Sequence, residues 1–186
     1  QGDAHMGQTA VVTGAGCIGL SSLLALKALG VTTVYVVDIM QKRLEKAMEL
    51  GASGIINGKE TDAVSKIMDL TNGRGCDLVI ETSGTEICAR QGIEMLVKGG
   101  TIVQVGYSAS GDMNLPMGMV LDKEITIKSV FRYRHIYPLA IQAVAEGKVN
   151  LKGIVTNTFE LDDVQNAMDS SVNNKADIVK AVIKIS

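Results

Sequence analysis

The sequence predicts an α/β fold: a doubly wound parallel sheet of about six strands with a small α/β appendix at its C-terminal end. Three observations carry this. Apolar or β-branched runs of strand length alternate with helix-length segments over residues 9–131. That repeating order requires right-handed strand–helix–strand units, hence parallel pairing with helices on both faces. The second half also repeats the logic of the first, because "VIETSG" and "GGTIVQVG" each end a strand in glycine.

The elements follow in order. A strand at residues 9–13 runs into Gly14, Gly16 and Gly19 and then into a helix at 17–29. Its sequence "IGLSSLLALKAL" is apolar on nearly every side, so it is expected to lie between the sheet and a second covering layer. The strand at 33–37 ends in Asp38, which is placed to cap a helix at 41–50. That helix has a charged face of Lys42, Arg43, Glu45, Lys46 and Glu49, and Gly51 stops it after Leu50. Strands at 54–57, 78–81 and 101–105 alternate with helices at 61–70 and 86–97. "MNLPMGM", residues 113–119, reads as a crossover to a last sheet strand at 125–131. A helix at about 138–146, a strand at 154–159, a short helix at 162–168 and a strand at 180–185 form the appendix. The expected units are therefore 7–133 and 134–186. Most of the nine methionines are expected to face the core at helical spacing.

Composition narrows the function. A chain of 186 residues, 46% apolar and 20% charged, is long enough for one substantial core. Its net charge of −2 and pI near 5.7 leave no electrostatic footprint for nucleic acid or an anionic membrane. No apolar run reaches the roughly 18 residues of a membrane span, and nothing at the start reads as a signal peptide. Cys17, Cys76 and Cys88 are odd in number and contain no C-x-x-C, which suits a reducing cytoplasm. The chain opens at Gln1 rather than methionine and reaches its first strand almost at once, the start expected of a fragment.

"VVTGAGCIGL" carries the chemistry. Gly14, Gly16 and Gly19 form G-x-G-x-x-G with a strand before it and a helix opening inside it. Gly14 permits the tight turn, Gly16 a close backbone approach to a pyrophosphate, and Gly19 the packing of helix on strand. Unpaired N–H groups at the helix start then face phosphate oxygens, helped by the helix dipole. Asp38 closes "VYVVD" 19 residues beyond Gly19, where a carboxylate binds both hydroxyls of an adenosine ribose. The pattern predicts a Rossmann-type dinucleotide site. Asp38 repels a 2′-phosphate, and Ile39 and Met40 add no positive charge, so NAD is favoured over NADP. Arg43, one turn into the next helix, is the residue that could reach a 2′-phosphate, against the reading in which it stacks over the adenine or is solvated. Two competing readings are a purely structural glycine turn with a capping aspartate, and an S-adenosylmethionine methyltransferase. The repeated second half, and the lack of an aromatic or Asn-Pro-Pro-type segment after the fourth strand, oppose the methyltransferase.

"TAVVTGAGCIGL", "VVDIMQKRLEKAMELGA", "CDLVIETSG", "GGTIVQVG" and above all "IKSVFRY" resemble the zinc-dependent medium-chain alcohol dehydrogenases, most closely the sorbitol (L-iditol) and polyol branch. The resemblance runs from about Gly7 to Ser186. It implies a parent enzyme that oxidises a secondary alcohol to a ketone with hydride passing to NAD. It also implies that Gly14, Gly16, Cys17, Ile18 and Gly19 surround the pyrophosphate. Asp38 would meet the ribose, with Ile39 also at the cofactor and Arg43 near the adenine. Thr82, Ser83 and Gly84 would border the cofactor. Val105, Gly106 and Tyr107, with Val130, Phe131 and Arg132, would line the nicotinamide pocket. Arg132 and Tyr133 match positions on the substrate side, against the plainer reading of a surface arginine and a packed tyrosine. Cys17, at a helix start beside the expected pyrophosphate, reads as inert filler.

In that family a cysteine, a histidine and a glutamate hold zinc in a preceding GroES-like domain, and no residue here matches them. His5 and His135 have no cysteine or carboxylate at ligand spacing, so no metal site is expected in this chain. Zinc would act as a Lewis acid on the alcohol, so this chain is expected to bind cofactor without turning over substrate. "EITIKSVF" reads as an edge strand, and the resemblance implies a homodimer through residues 124–131. The tail strands are expected to expose apolar surface that the other domain would cover. Two rival functions remain at this level: a stand-alone, non-enzymatic dinucleotide-binding module, and a zinc-free reductase of the same superfamily.

Overall fold

The computed structural model describes residues 1–174 and 176–185. Six parallel strands form the main sheet: β1 (Thr9–Thr13), β2 (Thr33–Asp38), β3 (Gly54–Asn57), β4 (Cys76–Glu81), β5 (Leu96–Gln104) and β6 (Thr126–Ser129). Their order is β3-β2-β1-β4-β5-β6. The first three strands step outward in one direction and the last three in the other, so the order reverses between β1 and β4. In open α/β sheets ligands bind at such a switch point, outside the carboxyl ends of the strands.

Period-two alternation in the central strands divides the core. On one face Ala10, Val12, Val34, Val36, Leu78 and Ile80 pack with Leu20 and Leu23 of α1 (Cys17–Ala28) and Leu44 of α2 (Gln41–Glu49). On the other, Val11, Val79 and Ile102 meet Ile67 of α3 (Ala63–Leu70) and Ile93 of α4 (Glu86–Met95). Each fully buried leucine here contributes about 2 kcal/mol relative to an exposed one.

Past the sheet, α6 (Tyr137–Ala145) precedes a 3₁₀ turn at Leu151–Ile154. Strand β7 (Asn157–Glu160) pairs in parallel with β8 (Ala181–Lys184), with α7 (Val164–Asn173) between them. The chain then rejoins the first core, where Ile154 is buried and Val179 packs against the same cluster.

Several expectations change. Residues 113–119 are not all crossover, because α5 (Met117–Asp122) starts behind Pro116 and seats Val120 in the core. Strand β6 ends at Ser129 rather than 131. Val130 N–H still reaches Gln104 O, but Val105 and Gly106 turn their N–H groups to Glu81 O, so no further ladder exists for residue 131. In the tail, Ile154 is claimed by the 3₁₀ turn, so β7 starts three residues later than expected. Helix α7 extends to Asn173. Of the nine methionines only Met95 is buried, and Met6, Met48, Met117 and Met168 are exposed. Helix α1 buries Gly19, Leu20, Leu23 and Leu26 against the sheet, while Ile18 and Leu29 stay more than half exposed. The turn at Leu151–Ile154 packs beside α1 and covers only part of it. No described helix is long and apolar enough to cross a membrane.

Candidate functional site

The turn after β1 is built from backbone. Gly14 has φ +96°, its N–H donates to Val37 O at 2.7 Å, and a Cβ there would lie 2.8 Å from Thr82 Oγ1. A Cβ at Gly19 would lie 1.8 Å from Gly14 O, so both positions admit only glycine. Gly16 differs: the nearest atom to its added Cβ is Arg43 Nη1 at 3.9 Å, and the space beside it is open. Gly16 is also the N-cap of α1 and supplies no side-chain acceptor. By contrast α3 is capped by Asp62, which accepts from Ser65 N at 2.8 Å, and α4 by Thr85, which accepts from Cys88 N at 3.3 Å. An opening without a side chain, at the start of a helix packed on the sheet, fits a pyrophosphate.

Asp38 faces this turn from the end of β2. Its Oδ2 accepts from Ala15 N at 2.6 Å, and its Oδ1 from Ile39 N at 2.7 Å and Met40 N at 2.8 Å. The expected capping of α2 by Asp38 does not occur. Met40 is the N-cap, and the carboxylate is turned toward the glycine loop instead. Ile39 is half-exposed and its methyl lies near Gly58, away from both cavities described below.

Across the switch point, Thr82 Oγ1 donates to Thr13 O at 2.8 Å and Gly14 O at 3.1 Å, tying the exit of β4 to the glycine turn. The loops after β4 and β5 touch backbone to backbone. A Cβ at Gly84 would sit 2.4 Å from Tyr107 O, and one at Gly106 would sit 2.1 Å from Gly84 N. Beneath them lies Glu81, fully buried and not among the site residues expected above. A signal was present, since an acid ending the otherwise apolar run "LVIE" is unusual for a strand buried on both faces.

The structure brings Val105, Gly106, Tyr107, Val130, Phe131, Arg132 and Tyr133 together around one cavity of about 600 Å³. The Arg132 guanidinium stands 5.0 Å from the centre of the Phe131 ring, and Tyr133 packs on Tyr137 at 5.4 Å between ring centres. A second cavity, of about 560 Å³, shares Val105, Val130 and Arg132 and adds Ile18 with the outer face of α1. Cys17 is half-buried against the first core cluster. Burial pushes the Cys76 thiol up to about 12, so it stays protonated at neutral pH. Among the described residues no three His, Cys, Asp or Glu side chains converge as a metal site requires. His135 is exposed, and the ring Nδ1 of His5 lies 2.9 Å from the carbonyl of Met6. The residues present do not fit a catalytic zinc.

Sheet order and glycine turn together define a Rossmann-type α/β fold. Residues 17–146 match the family model described as zinc-binding dehydrogenase, and the chain belongs to that family. It is 41% identical over 184 residues to a zinc-type alcohol dehydrogenase-like protein, YdjJ, of Escherichia coli (strain K12), covering 99% of this chain and 52% of that protein. It is 34% identical over 177 residues to a sorbitol dehydrogenase of Bacillus subtilis, covering 95% and 50%. Among solved structures, an alcohol dehydrogenase from E. coli CFT073 in complex with cofactor NADH superposes with a TM-score of 0.89 at 25% identity, covering 97% of this chain and 53% of that one. The chain spans about half the length of the curated relatives it matches.

Proposed function

We propose that this chain is the NAD(H)-binding half of a zinc-dependent dehydrogenase that oxidises a secondary hydroxyl of a polyol to a ketone. The observation that carries the reading is Asp38 Oδ2, 2.6 Å from Ala15 N at the edge of a helix start that no side chain caps. The uncapped helix start offers its own amides to a pyrophosphate, and Asp38 beside it offers a carboxylate to a ribose. The NADH complex of one structural neighbour and the sorbitol dehydrogenase among the relatives support the cofactor and the substrate class.

In this reading Gly14, Gly16, Cys17, Ile18 and Gly19 surround the pyrophosphate. Asp38 meets the ribose, with Ile39 also at the cofactor and Arg43 on the adenine side. Thr82–Gly84 and Val105–Tyr107 flank the nicotinamide half, with Val130–Arg132 opposite. Arg132 and Tyr133 face the substrate. Bound NAD supplies a hydride acceptor, and this chain's residues orient it and shield it from water. The zinc ligands belong to the other half of the parent enzyme. Residues 7–133 form the nucleotide unit, and 134–186 the segment that packs on the catalytic half of the parent enzyme. The parent is cytoplasmic and dimerises through residues 124–131, consistent with three free cysteines and an edge position for β6.

Fluorescence titration with NADH and NADPH tests the reading. NADH is expected to bind the tighter by about tenfold or more, and Asp38→Asn to weaken NADH by about 10–100-fold, the range for losing hydrogen bonds to a charged group. Equal affinity of the unaltered chain for the two nucleotides would remove Asp38 from the ribose. With sorbitol and NAD the isolated chain is expected to show no turnover, and zinc-dependent activity would contradict the placement of the ligands elsewhere.

A further inference from the structure

We infer that Glu81 is a positioning residue whose buried carboxylate holds the exit loops of β4 and β5 in the one arrangement that shapes the nicotinamide side of the cleft. This rests on the dinucleotide reading above and adds a residue to it. Glu81 has no exposed surface and lines neither cavity, so it is not placed to touch a ligand.

A carboxylate is costly to bury unless its oxygens are supplied with donors. Here the donors come from the loops. Oε1 accepts from Ser83 N at 2.7 Å, Ser83 Oγ at 2.5 Å and Gly84 N at 3.1 Å. Thr13 Oγ1 stands 3.5 Å from the same oxygen. Oε2 accepts from Gly84 N at 3.1 Å and Gln104 Nε2 at 2.5 Å. The main-chain carbonyl of Glu81 adds the N–H groups of Val105 at 2.8 Å and Gly106 at 2.9 Å. One residue thus gathers both loops, with neutral groups as its donors.

The direction of these bonds matters. A carboxylate only accepts, so it turns the Gln104 amide with its NH2 inward. The same NH2 donates to Gly106 O at 2.8 Å, which sets the carbonyl of the next loop. The added Cβ at Gly106 would also lie 2.7 Å from Glu81 Oε2, so the carboxylate sits directly under the contact of Gly84 with Gly106. Gln104, Gly106 and Tyr107 carry the network to the wall of the first cavity.

Glu81→Gln keeps the shape and replaces one acceptor by a donor. If the new NH2 takes the Oε1 place, it opposes the N–H of Ser83. If it takes the Oε2 place, the Gln104 amide must turn over and aim its oxygen at Gly106 O. The loops loosen in both cases, while the glycine turn and Asp38 are untouched. NADH should bind about tenfold more weakly or worse, and ADP-ribose, which lacks the nicotinamide, within about twofold of the unaltered chain. Amide hydrogen exchange, read without nucleotide, should quicken at Ser83, Gly84 and Gly106 and stay unchanged from Leu20 to Leu26. Gln104→Ala, at a half-buried position on the cavity wall, should quicken exchange at the same residues, and that readout serves if Glu81→Gln fails to fold. Equal weakening of both ligands, or unaltered exchange in the 83–106 loops, overturns the inference. Because the exchange arm needs no nucleotide, failure of the unaltered chain to bind NADH would strike the dinucleotide reading alone.

Discussion

Gly19 shows how much one hydrogen can decide. It lies inside α1, where glycine costs about 1 kcal/mol against alanine. Yet a methyl there would meet Gly14 O at 1.8 Å, far inside contact distance. Gly19→Ala must push helix from turn and close the opening beside Gly16. A loss of about 1–3 kcal/mol in stability and at least tenfold in NADH affinity is expected, measured by denaturant unfolding and fluorescence titration. An unchanged affinity would mean that the turn does not touch the phosphates. Gly16 and Gly19 look alike in the motif, and only their surroundings separate clearance for a ligand from packing on the protein.

Among the elements, the helices differ by how they begin. Helix α3 opens on Asp62, whose carboxylate accepts from Ser65 N. That backbone hydrogen bond is the first cause holding the Asp62 carboxyl below its usual range. A carboxyl lowered in the folded chain adds stability above its unfolded value of about 3.9 and loses it as pH falls through the folded value. Asp62→Ala should therefore cost about 1 kcal/mol at pH 7, and the difference should shrink in denaturant melts as the pH falls below the unfolded value. A constant difference throughout that fall would assign the cost to packing. Helix α1 has no such cap, and its opening meets the carboxylate of Asp38 across the turn instead. The contrast between the two helices separates a start closed for stability from one left open for a ligand.

At the scale of the molecule, the sheet has an edge at β6, where Thr126 and Ile127 are exposed. Lys128 pairs with Asp3 from the start of the chain and leaves the outer side of the strand open. If two copies join their sheets here, Ile127→Asp should turn a dimer into a monomer in light scattering, with NADH affinity unchanged. A monomeric unaltered chain would refute the edge pairing. On α1, Ile18 and Leu29 are exposed beside the second cavity.

The order of the elements, the parallel sheet, the glycine turn and the acid that faces it are all legible along the chain. These depend on short-range signals: apolar period, a strand–glycine–helix junction, and a carboxylate at the end of the following strand. Only the tertiary structure decided what lies between strands far apart in the chain. It buried Glu81 under the contact of Gly84 with Gly106, turned Asp38 from a helix cap toward Ala15, and folded residues 130–133 against 105–107 to make a cavity. Those contacts arise because β4 and β5 sit side by side beyond the switch point. Hydrogen bonds and clearances across such neighbours are set by distances in space that no local pattern of residues encodes.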